Sequence, residues 1–135
     1  MSMRVYQGHV GIGPRVEGEA LVASDNFSAR YDVDLVKGVF SRPAHALCGQ
    51  SYVGKILILN AAKGGVATAW MLRDMKARGL CPAALILNFA NAIMAQGAAF
   101  ADLPMIDRFE VDITGAIRTG EHVIVDPDSG TLTVA

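Results

Sequence analysis

Residues 55–87 read KILILNAAKGGVATAWMLRDMKARGLCPAALIL, and this stretch decides the fold. Lys55 to Leu59 is a short continuous apolar run, the pattern of a strand buried on both faces. A glycine-rich turn, Asn60 to Gly65, ends it. Val66, Ala69, Trp70, Leu72 and Met75 then recur at helical spacing, with Arg73, Asp74, Lys76 and Arg78 opposite, which predicts an amphipathic helix. Gly79 stands where a C-terminal cap belongs, and Pro82 blocks re-entry. Ala83 to Leu87 repeats the buried-strand pattern. Strand, turn, helix and strand make one βαβ unit with a right-handed crossover.

Outward from this core, Gly8 to Pro14 is punctuated by glycines and a proline and reads as loop. Gly18 to Ser24 alternates like a strand, and Asp25 to Arg42 reads as loop with short strands. A short helical segment follows Asn91 through Ala101, then Pro104-Met-Ile106 and an expected strand near Phe109 to Val111. Glu121 to Asp126, the turn Pro127-Asp-Ser-Gly130 and Thr131 to Val134 read as a hairpin. With no linker, repeat or low-complexity tract, residues 1–135 are expected to form one mixed α/β domain.

The chain has 135 residues, 52% hydrophobic and only 19% charged, against roughly 25% charged in an average soluble domain. This composition suits a large core, or a surface partly kept for a partner. Twelve basic and thirteen acidic residues leave a formal charge of -1 and no basic stripe, so no nucleic-acid partner is expected. Cys48 and Cys81 are too few and too far apart for a disulfide scaffold or a structural zinc site, and read as reduced thiols. His9, His45 and His122 are scattered, so no metal is expected on this chain. The longest greasy stretch, Pro82 to Ala101, is broken by Asn88, Asn91, Gln96 and Gly97 and is too polar to span a bilayer. MSMRVYQGHVG lacks an apolar signal core, and the expected location is cytoplasmic.

Chemistry concentrates at Asn60 to Thr68. Glycines at the end of a buried parallel strand let a backbone approach a ligand, and the amides opening the next helix then face an anion. Lys63 adds a point charge for a carboxylate or phosphate. The segment is neither a Walker A loop nor a GxGxxG fingerprint, so a plain tight turn with Lys63 in solvent stays open beside it. His45, in the loop Ser41-Arg-Pro-Ala-His45, is either an acid–base group or a backbone-bonded loop histidine. Asp32 and Asp34 form a DxD pair without further cation ligands. Ser51 follows a glycine but has no GxSxG elbow. Trp70, Met71, Met75 and Met94 read as core or interface rather than as a cofactor box.

The order Gly18-Glu-Ala-Leu21, Asp34, His45, Leu47, Gly49, Ser51, Gly54-Lys55, Lys63-Gly64, Gly79, Pro82-Ala83 and the closing Gly120…Val123-Ile-Val-Asp126…Gly130 resembles the aconitase X swivel domain. That family includes the small subunits of archaeal phosphomevalonate dehydratase and bacterial cis-3-hydroxy-L-proline dehydratase. The resemblance runs nearly the whole chain and carries its weight in order and spacing. It implies a swivelling β/β/α domain with a central βαβ unit and a C-terminal hairpin. It implies docking on a large aconitase X-type catalytic subunit that carries an iron–sulfur cluster, and closure over a small hydroxy-carboxylate that loses water.

The turn after the buried strand reads Lys or Arg, Gly, Ser in the family, and that serine is taken as the base. Amide donors and a nearby cation in a dry site would let a serine act so. Here the segment reads Lys63-Gly64-Gly65-Val66-Ala67-Thr68, with no gap needed from Lys63 to Gly79. Gly65 stands at the serine position, and Thr68 has the nearest hydroxyl, one helical turn on. Lys63, Gly64, Gly65 and Val66 are the expected substrate-binding residues, Thr68 the candidate base, and His45 and Ser51 further candidates. A second departure is Phe27-Ser-Ala-Arg-Tyr-Asp-Val-Asp34, where the family tends to show Gly-Gly-Val-Asp. A non-catalytic binding or regulatory subunit therefore stands as the alternative.

Overall fold

The computed structural model describes residues 3–27, 32–34, 36–62 and 66–135, without the side chains of residues 66–69. The expected turn residues Lys63, Gly64 and Gly65, and positions 28–31 of the second departure, lie outside the described residues.

The βαβ unit is present. Strand β5 (Ile56–Ala61) leads into helix α1 (Val66–Ala77) and returns as β6 (Ala84–Phe89), paired in parallel from Ile56↔Ala84 to Ala61↔Phe89. Gly79, at φ 72°, closes α1: its N–H donates to Lys76 O at 3.1 Å and that of Leu80 to Met75 O at 3.0 Å. These are the two bonds of a Schellman motif, whose left-handed residue glycine adopts without strain.

Around the unit lie β1 (Arg4–Gln7), β2 (Val16–Val22), α2 (Ala92–Phe100), β7 (Met105–Ile106), α3 (Ile113–Ala116), β8 (His122–Asp126) and β9 (Thr131–Val134). The strand order is β1-β9-β8-β2-β5-β6-β7, and β3 (Val33–Asp34) with β4 (Val39–Phe40) form a small separate ribbon. From β2 to β7 the pairing is parallel; from β1 to β2 it is antiparallel.

The period-two alternation sorts the core by side-chain type. Leu57, Leu59, Leu85 and Leu87 face α1 and α2, packing with Leu72, Met75, Met94 and Ala98. Ile56, Ile58, Ala84 and Ile86 face the other way, with Ile113 and Ile117 and with Val123, Val125, Leu132 and Val134 of the hairpin. The sheet's two edges also meet. Ile12 and Met105 exchange hydrogen bonds of 2.9 Å each, His9 N–H donates to Asp107 O, and Glu110 N–H to Gln7 O. The loop expected at Gly8 to Pro14 is thus a seam that ties the β1 side of the sheet to β7. Gly11 sits in that seam, where an added Cβ would lie 2.2 Å from Met105 O.

Two expectations are corrected. Phe109 to Val111 is not a strand: Arg108 takes a left-handed conformation, φ 59°, with its N–H on Asn88 O, and turns the chain out of the ladder. The short helix α3 follows instead, capped by Asp112. Trp70 is not part of the core face of α1. It is 62% exposed, with the Arg73 guanidinium 5.7 Å from its ring centroid.

Candidate functional site

The parallel strands β5, β6 and β7 end on one edge of the sheet, where ligands of open α/β sheets bind. The residues that leave these strands define the site. β5 carries Asn60 near its end, β6 carries Asn88, and Asp107 and Arg108 follow β7. The chain after β2 joins them: Asn60 N–H donates to Asp25 O, Phe27 N–H to Ala61 O, and Phe27 bridges Ala62 in parallel.

A polar chain crosses this edge. Asn88, 8% exposed, donates through Nδ2 to Asn60 Oδ1 at 3.0 Å and to Asp112 Oδ1 at 2.8 Å, and accepts Ile113 N–H on Oδ1 at 2.9 Å. The backbone donor at Ile113 fixes which end of the amide is oxygen. Asn60 Nδ2 donates to Asn26 Oδ1 at 3.3 Å. Asp112 Oδ1 also accepts Thr114 N–H at 3.0 Å and Thr114 Oγ1 at 2.6 Å, and Thr114 Oγ1 meets Ser24 Oγ at 3.3 Å. The Thr114 hydroxyl, then the Asn88 amide, hold the Asp112 carboxyl below its ordinary range against a small opposing effect of burial. This anchor gave no recognised sequence signal beyond the Asp-Ile-Thr order of an N-cap.

His45 lies behind this chain. Its side chain is fully buried and stacked on Phe40 at 4.6 Å. Leu47 N–H donates to Nδ1 at 3.0 Å and Nε2 lies 2.7 Å from Asn26 O, the pattern of the Nε2–H tautomer. Asp25 and Asp32 carboxylates stand 3.9 Å from Nε2, and Arg42 donates to Asp32 Oδ1 at 2.6 Å. Partial burial alone would raise the Asp25 carboxyl. The N–H groups of Asn26 and Ala46, with His45 and Arg42 nearby, outweigh it and leave it below the ordinary range. His45 therefore braces the backbone beside Asn60 rather than facing solvent.

Val66 and Thr68 occupy the first turn of α1, directly after the glycine turn. Ser51 is elsewhere. Its hydroxyl donates to Gly38 O at 3.0 Å and accepts Val53 N–H, on the side of the amino end of β5. Asp34 caps its own turn, accepting Val36 and Lys37 N–H, and takes no part in the edge. Cys48 and Cys81 are free thiols. Among the described residues no cluster of three or more His, Cys, Asp or Glu is placed to hold a metal, and no helix is long and apolar enough to cross a membrane.

Residues 5–134 match the family described as the aconitase X swivel domain. The phosphomevalonate dehydratase small subunit of Methanocella arvoryzae is 34% identical over 126 residues, spanning 93% of this chain and 96% of its own. That of Methanothrix thermoacetophila is 36% identical over 114 residues, 84% of this chain and 82% of its own. The crystal structure of Thermococcus kodakaraensis aconitase X in its holo-form matches with a TM-score of 0.91 at 31% identity, over 98% of each chain. The β/β/α architecture implied by the sequence is the one observed, and the chain belongs to the aconitase X swivel-domain family.

Proposed function

We propose that this chain is the small subunit of a heteromeric hydro-lyase of the aconitase superfamily, inactive alone and working in the cytoplasm. It docks on a larger catalytic subunit and closes the carboxyl edge of β5, β6 and β7 over a small hydroxy-carboxylate. The observation that carries this reading is the near end-to-end similarity to chains named as dehydratase small subunits, with a polar anchor built on that same edge. Those names make phosphorylated hydroxy acids the first substrates to try.

Dehydration removes a proton from one carbon and hydroxide from its neighbour, leaving a double bond and water. The iron–sulfur cluster, carried by the large subunit, would act on the departing hydroxyl as a Lewis acid. This chain's part is to bind the anionic end through Lys63 and the amides of Gly64, Gly65 and Val66, to exclude water, and to take up or position the proton. Gly65 has no side chain to accept one, so Thr68 is the candidate base.

Gly65 also favours a second reading, in which the chain binds and closes but does no chemistry. Thr68→Ala in the assembled complex separates the two. The catalytic reading expects turnover to fall at least 100-fold, in line with loss of a general base, while the complex still forms. Unchanged turnover with Thr68→Ala, together with a rise on Gly65→Ser, would establish the non-catalytic reading instead.

A further inference from the structure

The amide row on this edge is pinned at both ends. At one end Ile113 N–H donates to Asn88 Oδ1 at 2.9 Å, which turns the Asn88 Nδ2 hydrogens onto Asp112 and Asn60. Asn60 then accepts through Oδ1 and donates through Nδ2, and Asn26 Oδ1 receives that donor at 3.3 Å. At the other end His45 Nε2 lies 2.7 Å from Asn26 O. We propose that His45 is a positioning residue for the carboxyl edge: through Asn26 it holds the end of β5 and the Asn60 and Asn88 amides in the arrangement that meets the ligand. It acts through its neighbours and touches no ligand itself. The inference rests on the reading of this edge as half of a site for hydroxy acids and names the buried group that sets its geometry.

The ring does this in one protonation state. Leu47 N–H donates to Nδ1 at 3.0 Å, so Nδ1 carries no proton, and the Asn26 carbonyl requires the proton on Nε2. The other neutral tautomer would set an N–H against Leu47 N–H and a lone pair against Asn26 O, losing both bonds. Among the described residues the charged groups around the ring are Asp25 and Asp32, each with a carboxylate oxygen 3.9 Å from Nε2, and Arg42, which donates to Asp32. Neither carboxylate is within hydrogen-bond distance of Nε2, so that nitrogen serves the Asn26 backbone.

Residues 25–27 are what the ring supports. Asn60 N–H donates to Asp25 O at 2.8 Å and Phe27 N–H to Ala61 O at 2.9 Å, so this segment lies along the end of β5 and carries its position. Asp25 Oδ2 accepts Ala46 N–H at 3.2 Å, a second tie between the same two segments. The hydrogen bonds run on from there into the amide row, and a shift at Asn26 is passed to Asn60 and Asn88.

Two substitutions separate the two bonds of the ring. In His45→Asn the side-chain oxygen stands near the place of Nδ1 and keeps Leu47 N–H, while the donor to Asn26 is gone. In His45→Gln the amide nitrogen stands near the place of Nε2 and keeps that donor, while the acceptor for Leu47 is gone. The full chain, labelled with ¹⁵N and ¹³C, is read first unaltered: a proton on Nε2, a bare Nδ1 and a coupling across the bond from Nε2 to the Asn26 carbonyl are expected. The side-chain amide signals of Asn26, Asn60 and Asn88 should move in His45→Asn and lie near their original places in His45→Gln. In the assembled complex, KM for the hydroxy acid it turns over should rise about fivefold with His45→Asn, the worth of one net hydrogen bond. It should recover with His45→Gln, and kcat should change less. A proton on Nδ1 in the unaltered chain, amide signals that stay put in His45→Asn or move alike in both variants, or an unchanged KM would each overturn the proposal. Loss of folding in either variant would make the ring a plain structural residue and overturn it too. The spectra need no partner, so an assembled complex without turnover overturns the hydro-lyase reading and leaves the positioning role to be decided by them.

Discussion

Tyr52 is fully buried, packed edge-on against Phe40 with ring centroids 5.9 Å apart, yet no group among the described residues pairs with its hydroxyl. Burial, with Cys81 and Asp34 nearby, pushes its pKa up to about 12. A buried unpaired hydroxyl costs roughly 1–3 kcal/mol, and its removal leaves the ring packing intact. Tyr52→Phe should therefore raise the unfolding free energy by about 1 kcal/mol, read from urea denaturation at unchanged slope. A loss of stability would mean that the hydroxyl has a partner. Asp112 behaves oppositely. Its folded pKa lies below the ordinary 3.8, so it stabilises the fold above that value and loses this contribution as the pH falls through the lower folded value. Asp112→Asn should flatten the acid limb of the stability curve by lowering its neutral plateau toward the acid value, checked by thermal melts across pH 2–7 (roughly the range where carboxylates titrate). An unchanged acid limb would remove Asp112 as its source.

Elements set how much could be read in advance. The βαβ unit was legible because uninterrupted apolar runs and a helical repeat occupy adjacent, uninterrupted windows, and Gly79 and Pro82 mark the helix end. The hairpin was legible from its turn residues. The Phe109 to Val111 segment misled because it alternates apolar and charged residues like a strand, while one left-handed residue, Arg108, decides its path. Trp70 misled because helical periodicity places a residue on a stripe without saying how wide the partner is. The Asn60–Asn88–Asp112 anchor was hidden for a further reason: its members lie 24 to 28 residues apart, and only the parallel pairing of β5 with β6 and the packing of α3 beside them bring them together. The seam at Gly11 was equally hidden, since contact with Met105 is a tertiary fact. Gly11→Ala places a methyl against a backbone oxygen that cannot move freely. It should cost about 3 kcal/mol, the upper part of the usual range for overpacking, measured by chemical denaturation. A cost under about 0.5 kcal/mol, the scale of neutral surface substitutions, would show that the seam opens easily.

At the scale of the whole molecule, one edge gathers the ends of three parallel strands, a braced histidine, an amide–carboxylate anchor and an accessible pocket, while the Gly8 to Pro14 loop ties β1 to β7. Large apolar side chains remain exposed at Phe89, Val111, Trp70 and Phe100. The most direct test of the hydro-lyase reading is titration of this chain into a fixed amount of the aconitase X-type large subunit, following the ultraviolet absorbance of the α,β-unsaturated acid formed from a hydroxy acid. Either chain alone should be inactive, and the rate should rise with added small subunit and level off at equimolar ratio. Full turnover by the large subunit alone, or no association between the two chains, would contradict it.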